Sequence, residues 1–327
     1  MSKVLLDVRN LKLYFRTRSG PVQAVDNVSF QLEEGKTLAV VGESGCGKTS
    51  LTKAILRLLP RNVETYEGEI IFEGEDIMKY NEDKFRKEIR WSKIAMVPQA
   101  SMNSLNPVLR IEDQLMEPLL LHDRTMTKKK ALDRVKEVFN IVGLPTDFLR
   151  RYPFELSGGM RQRATIAMAL AANPKLVVLD EPSSALDLLT QANLMNVLKR
   201  IKQEYKTTFI LITHDIGTAS ELADEIAVMY AGEMVEYSSA EYFYTDAHHP
   251  YSRKLMASVP TLREDKELQF IPGQPPSLIN PPSGCRYAAR CEKRFEKCSE
   301  HPCTVELEHG AKVQCWLYDE TGEVKHA

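Results

Sequence analysis

The segment GESGCGKT at 42–49 constrains this chain more than any other feature. It follows the short apolar run 38–41 and precedes apolar residues at helical spacing, so it reads as strand, glycine-rich loop, helix. The pattern is G-x-x-x-x-G-K-S/T. Its glycines let backbone N–H groups close around phosphate oxygens, and the helix start adds positive potential. Gly42, Ser44, Gly45, Cys46 and Gly47 would shape the cradle, with Ser50 beside it on the first turn of the helix. Lys48 would reach the β- and γ-phosphates, and the Thr49 hydroxyl would ligate Mg²⁺. The competing reading is an accidental glycine turn before a helix.

The rest of the chain alternates in a way that suits such a loop. Residues 3–9 and 23–32 read as strands around the turn-like RTRSGP, and 68–77 as a hairpin turned at Glu73-Gly74. Residues 112–121 and 128–143 carry helical periodicity. The second ends at Gly143 with Pro145 beyond, a stop signal. This marks residues 85–155 as a helical insert. Then come a helix at 157–172, a buried strand at 175–179, a helix near 188–204 and a strand at 208–212, followed by segments 219–224 and 226–230. The expected class is α/β with a largely parallel core. Five prolines between Pro272 and Pro282 make a stiff connector. A domain boundary is expected just before it, near residue 265, giving domains 1–265 and 266–327.

Two further motifs carry chemistry. LVVLDE at 176–181 is an apolar strand ending in two carboxylates. Asp180 would hold Mg²⁺, and Glu181 would orient or deprotonate an attacking water. The competing reading is a solvated acidic strand end. LSGGMRQR at 156–163 starts a helix with Ser157 as its N-cap, followed by Gly158 and Gly159.

LSGGM resembles the ABC signature LSGGQ, with Met160 in place of Gln. Other elements fall in that family's order. Gln99 after IAMVP is similar to the Q-loop residue, and SALD at 184–187, with Asp187, to the D-loop. His214 after FILIT is similar to the switch histidine. Phe15, nine residues before Ala24, stands where the family stacks an aromatic on adenine; Tyr14 is the alternative, and a core aromatic the rival reading. The resemblance covers about residues 3–250 and six ordered motifs. It implies a P-loop NTPase cassette with a RecA-like core, an antiparallel β subdomain and a helical subdomain. It also implies ATP hydrolysis at a head-to-tail dimer, where Ser157, Gly158 and Gly159 press on nucleotide held by the opposite subunit. Glu181, His214 and Lys48 take the catalytic roles, with Gln99 joining Thr49 and Asp180 around Mg²⁺.

Finer features resemble the oligopeptide/dipeptide importer branch: SLNP at 104–107, HPY at 249–251, and IPGQPP at 271–276 leading to Cys285. That branch implies a second, different ATPase chain, with a homodimer as the alternative. It also implies two membrane permease subunits, an external solute-binding protein, and a place on the cytoplasmic side of the membrane. The solutes are peptides or, in some members, oligosaccharides. One departure is Leu188-Leu189 after Asp187, from which no loss of chemistry is expected.

Five of the six cysteines crowd the C-terminal stretch. Their spacing lacks the short pairs of structural zinc sites. Some members of the importer branch carry a 4Fe–4S cluster at C-x5-C-x6-C-x16-C, a resemblance that here selects Cys285, Cys291, Cys298 and Cys315 and leaves Cys303 spare. Zinc and uncomplexed thiols remain the alternatives. Arg286, Arg290, Lys293, Arg294 and Lys297 could offset cluster charge, stabilise thiolates or form a solvated face, the last being the default.

With Lys+Arg 43 against Asp+Glu 45, the net charge of −2 argues against a nucleic-acid binder that relies on bulk charge. No apolar run is long enough to span a bilayer and the N-terminus has no signal-like stretch, so any membrane link is expected to run through partners. Two rival classes stay in view: a soluble cassette ATPase acting on nucleic acid or ribosomes, and an iron–sulfur redox sensor.

Overall fold

The computed structural model describes residues 3–99, 101–258 and 271–318; the boundary expected near residue 265 lies outside them. In chain order come strands β1 (Val4–Thr17), β2 (Gly20–Glu33) and β3 (Thr37–Val41), helix α1 (Lys48–Ile55), and strands β4 (Val63–Phe72) and β5 (Glu75–Asp76). Helix α2 (Glu82–Glu88), strand β6 (Ile94–Val97) and helices α3 (Ile111–His122), α4 (Lys128–Ile141) and α5 (Gly158–Ala171) follow. Next are β7 (Leu176–Asp180), α6 (Leu188–Tyr205), β8 (Thr208–Ile212), α7 (Ile216–Ser220), β9 (Glu225–Tyr230) and β10 (Glu233–Ser239). The last are α8 (Ala240–Thr245), α9 (Pro250–Ala257), β11 (Thr304–Glu306) and β12 (Lys312–Gln314). These elements gather into two compact units.

The first unit holds residues 4–32, 37–78 and the described residues from 212 onward. Its antiparallel sheet runs β2-β1-β4-β5. Glu73 and Gly74, at φ 53° and 87°, turn β4 into β5, as a tight primed hairpin requires. β1 and β2 run further than the apolar alternation suggests, because the hairpin ladder continues through polar residues to a turn at Arg18-Ser19. A second set of strands runs β11-β12-β10-β9-β3, with β3 and β9 parallel. The C-terminal residues thus extend this sheet, since β12 pairs antiparallel with β10.

The second unit holds mainly residues 79–211. Strands β8-β7-β6 lie side by side, β6 parallel to β7, and every residue of β7 and β8 is buried. Parallel strands covered on both faces read as continuous apolar runs, which explains 176–179 and 209–212. Helices α3, α4 and α5 pack on one another. In α4, Ala131, Val135, Val138 and Phe139 are buried at helical spacing. Thr127 caps its start, and Gly143 at φ 71° takes the chain out of the helix. Among the described residues no helix is long and apolar enough to cross a membrane.

Candidate functional site

The phosphate-loop elements belong to the first unit. β3 is fully buried and delivers the chain to Gly42. Gly42, Gly45 and Gly47 stand at φ 148°, 80° and 109°, where L side chains are strained. A Cβ on Gly42 would strike the Met229 carbonyl, and one on Gly47 the Ala24 carbonyl, whereas Gly45 faces open space. Lys48 is only 6% exposed, and its Nζ donates to the carbonyls of Gly42 (2.7 Å) and Glu43 (2.9 Å). The ammonium is therefore held inside the loop by two acceptors that phosphate oxygens could replace. Cys46 is buried, which pushes its thiol pKa up against the opposing pull of Lys48. Ser44 and Gly45 are exposed, and Thr49 and Ser50 half-buried.

Two aromatics compete for the adenine role. The Tyr14 hydroxyl donates to Asp26 at 2.5 Å, and burial together with that carboxylate raises its pKa. A bulge between Tyr14 and Phe15 shifts the β1 register, and Phe15 is half-buried instead of joining Leu11 and Leu13 in the core. His214 is exposed just beyond β8. Its neighbour Asp215 caps α7.

The second unit carries the acidic pair, Gln99, the signature helix and the D-loop. Asp180, at 1% exposed, ends β7. Glu181 follows at φ 47°, an unusual conformation for a residue with a side chain. The Gln99 side-chain amide donates to Glu181 at 3.0 Å. Ser157 caps α5 by accepting the Met160 N–H at 3.3 Å, and Gly158 and Gly159 form the first turn. A Cβ on Gly159 would collide with the Thr190 methyl, so this glycine permits close approach to α6. Asp187 caps α6, accepting from the Thr190 N–H (3.0 Å) and hydroxyl (2.6 Å). Those bonds hold its carboxyl below the usual range. Leu188 and Leu189 beside it are 85% and 73% exposed.

The cysteine segment lies in the first unit. The backbone N–H of Cys285 donates to the Cys298 carbonyl at 3.1 Å. Burial raises the Cys315 thiol to about 12, and the sulfurs of Cys285, Cys291 and Cys298 each push it further the same way. Burial likewise raises the thiols of Cys285 and Cys291. Cys303 is exposed and lines a cleft with His301 and Thr304. Among the described residues no group of three or more His, Cys, Asp or Glu side chains stands ready to hold a metal ion.

The solvated-face reading of the basic residues fails for two of them. Arg286 and Arg290 are each 5% exposed at the side chain, and both are ion-paired away from the sulfurs. Arg286 pairs with Asp26 and Glu233, and Arg290 with Glu43. Burying a guanidinium requires such partners; Asp26 and Glu43 lie 260 and 247 residues upstream, where no local pattern points to them. Tyr251 joins the loop in the same way, with no local pattern to mark it as a site residue: its hydroxyl accepts the Glu43 N–H at 2.9 Å.

Comparison with known proteins adds to this geometry. Residues 25–184 match the family described as ABC transporter, and 235–298 match the oligopeptide/dipeptide transporter C-terminal region. The dipeptide transport ATP-binding protein DppD of Caldanaerobacter subterraneus subsp. tengcongensis is 40% identical over 98% of this chain and 99% of its own. The oligopeptide transport ATP-binding protein OppD of Bacillus subtilis is 44% identical over 96% of this chain and 88% of its own. The dimeric post-hydrolysis structure of the ATP-binding cassette MJ0796, bound to ADP and Pi, matches with a TM-score of 0.64 at 29% identity. That match covers 72% of this chain and 98% of the cassette.

Proposed function

The chain belongs to the ATP-hydrolysing subunits of ABC transporters, in the oligopeptide/dipeptide importer branch, and we propose that it powers uptake of peptides or related solutes such as oligosaccharides from the cytoplasmic face of the membrane. The observation that carries the site assignment is Lys48, buried and held on two loop carbonyls until phosphate oxygens compete for it. Gly42, Ser44, Gly45, Cys46, Gly47 and Ser50 line the phosphates, and Phe15 stacks on adenine, its half-exposed ring supporting that role. Thr49, Asp180 and Gln99 offer the hard oxygen ligands that suit Mg²⁺, which neutralises phosphate charge when bound. Glu181, oriented by Gln99, takes the proton of the attacking water, and His214 contacts the γ-phosphate. Ser157, Gly158 and Gly159 complete the site of a second ATPase chain, and Asp187 faces the same junction.

The partners we infer are that second chain, as a heterodimer or a homodimer, two permease subunits and, through them, an external solute-binding protein. Residues 99–118 receive the permeases, and exposed Val108 and Leu109 support this. The test is ATPase turnover of the complete transporter in vesicles, with solute uptake followed in parallel. Uptake that continues unchanged in Lys48→Ala would defeat the reading.

Cys285, Cys291, Cys298 and Cys315 are proposed as the ligands of a 4Fe–4S cluster. The spacing C-x5-C-x6-C-x16-C, shared with members of the importer branch, supports it; among the described residues the four sulfurs do not form a ready-made metal group. A bound cluster supplies a covalent staple for a segment poor in regular structure. Iron and sulfide analysis after anaerobic purification tests it, and zinc alone would replace the assignment.

A further inference from the structure

The cysteine segment does more than pack beside the phosphate loop. Arg290, one residue before Cys291, donates to both carboxylate oxygens of Glu43, at 2.7 and 2.9 Å. The same guanidinium donates to the Pro272 carbonyl at 2.7 Å and the Tyr230 hydroxyl at 3.2 Å. A planar fork bonded at both tips fixes orientation as well as distance.

Glu43 is the second residue of the phosphate loop. Its backbone N–H donates to Tyr251, and its carbonyl accepts the Lys48 ammonium. One loop residue is thus held at side chain, N–H and carbonyl, and it shares a bond with the lysine assigned to the phosphates. Arg286 grips the neighbouring turn. It donates to the Ala231 carbonyl at 2.6 Å, and Gly232, next in line, donates its N–H to the Cys46 carbonyl at 2.9 Å. Arg290 thus bonds the loop directly, while Arg286 bonds the turn whose Gly232 N–H donates to the loop at Cys46. The importer-branch segments HPY at 249–251 and IPGQPP at 271–276 supply Tyr251 and the Pro272 carbonyl.

A glycine-rich loop loses backbone freedom when it closes on a ligand, and a loop already ordered loses less. We propose that the cysteine segment is a built-in clamp on the phosphate loop, with Arg290 a positioning residue that favours ATP binding through Glu43. This rests on the assignment of residues 42–49 to ATP.

The test compares full-length Arg290→Gln, Glu43→Gln, the double variant and Lys48→Ala in ATP binding and in steady-state ATPase kinetics of the assembled transporter. Each single change at the pair should raise the Kd and KM for ATP about tenfold, the scale of one lost charge-assisted hydrogen bond, and leave kcat within about threefold. The double variant should be no weaker than the worse single one, since both remove one interaction. Should Arg290→Gln fail to fold, the near-isosteric Glu43→Gln carries the same KM readout. An unchanged KM in Glu43→Gln, or additive losses in the double variant, would overturn the clamp. ATP binding retained in Lys48→Ala would instead overturn the site assignment itself.

Discussion

The side-chain amide of Gln99 donates to the carboxylate of Glu181 across 3.0 Å. Glu181 at the same time holds a left-handed backbone, φ 47°. Strain of this kind persists when neighbours over-determine it, and it concentrates at working sites. The hydrogen bond from the amide fixes the direction of the carboxylate.

Replacing that carboxylate by an amide keeps its shape and removes its basicity. Glu181→Gln should lower turnover by about 10²–10⁴-fold while ATP still binds. Size-exclusion chromatography with ATP should show a dimer that persists. Undiminished turnover would remove Glu181 from its role.

Gly42 and Gly45 separate two reasons for glycine. Gly42→Ala meets both a forbidden φ and the Met229 carbonyl, whereas Gly45→Ala meets only the φ, with open space around it. We expect Gly42→Ala to cost more than the ~1–2 kcal/mol of a left-handed alanine and to abolish ATP binding. Gly45→Ala should stay near that figure. Thermal unfolding with ATP titration checks both; equal losses would contradict the difference in surroundings.

The five C-terminal cysteines should not behave alike. On the proposed cluster, Cys315→Ser should abolish iron binding after anaerobic purification while Cys303→Ser keeps it, because Cys303 is exposed and lies outside the proposed four. Metal analysis of the two variants reads this directly.

His249 should add acid sensitivity. It is buried, its Nδ1 accepts the Tyr251 N–H at 3.0 Å, and burial pushes its pKa down to about 3. Below about pH 6.5 the unfolded chain binds a proton that the folded imidazole refuses. Stability from this residue is thus complete above that pH and falls as pH drops toward 3, by at most ~1.4 kcal/mol per pH unit. His249→Asn keeps an N-cap acceptor without the titration. Denaturant midpoints between pH 7 and 5 should fall less steeply in this variant than in the parent chain.

Local chemistry was readable from residue order. The loop 42–49, the apolar strand ending at Asp180, the Ser157 cap and the turn at Glu73-Gly74 each depend on neighbours within a few positions, so spacing alone identifies them. Boundaries were less legible where polar residues continue a ladder, as in β1 up to Thr17, because hydrogen bonds there do not depend on burial.

Only the tertiary structure decided what Arg290 and Arg286 do. Whether an arginine is solvated or buried depends on a partner that sequence distance conceals, and Glu43 lies 247 residues from Arg290. Likewise β12 finds β10 through backbone groups that every sequence carries. Residue spacing determined the motifs that name the chemistry. Folding decided which charges meet out of water, where a guanidinium needs its carboxylate, and so joined the cysteine segment to the phosphate loop.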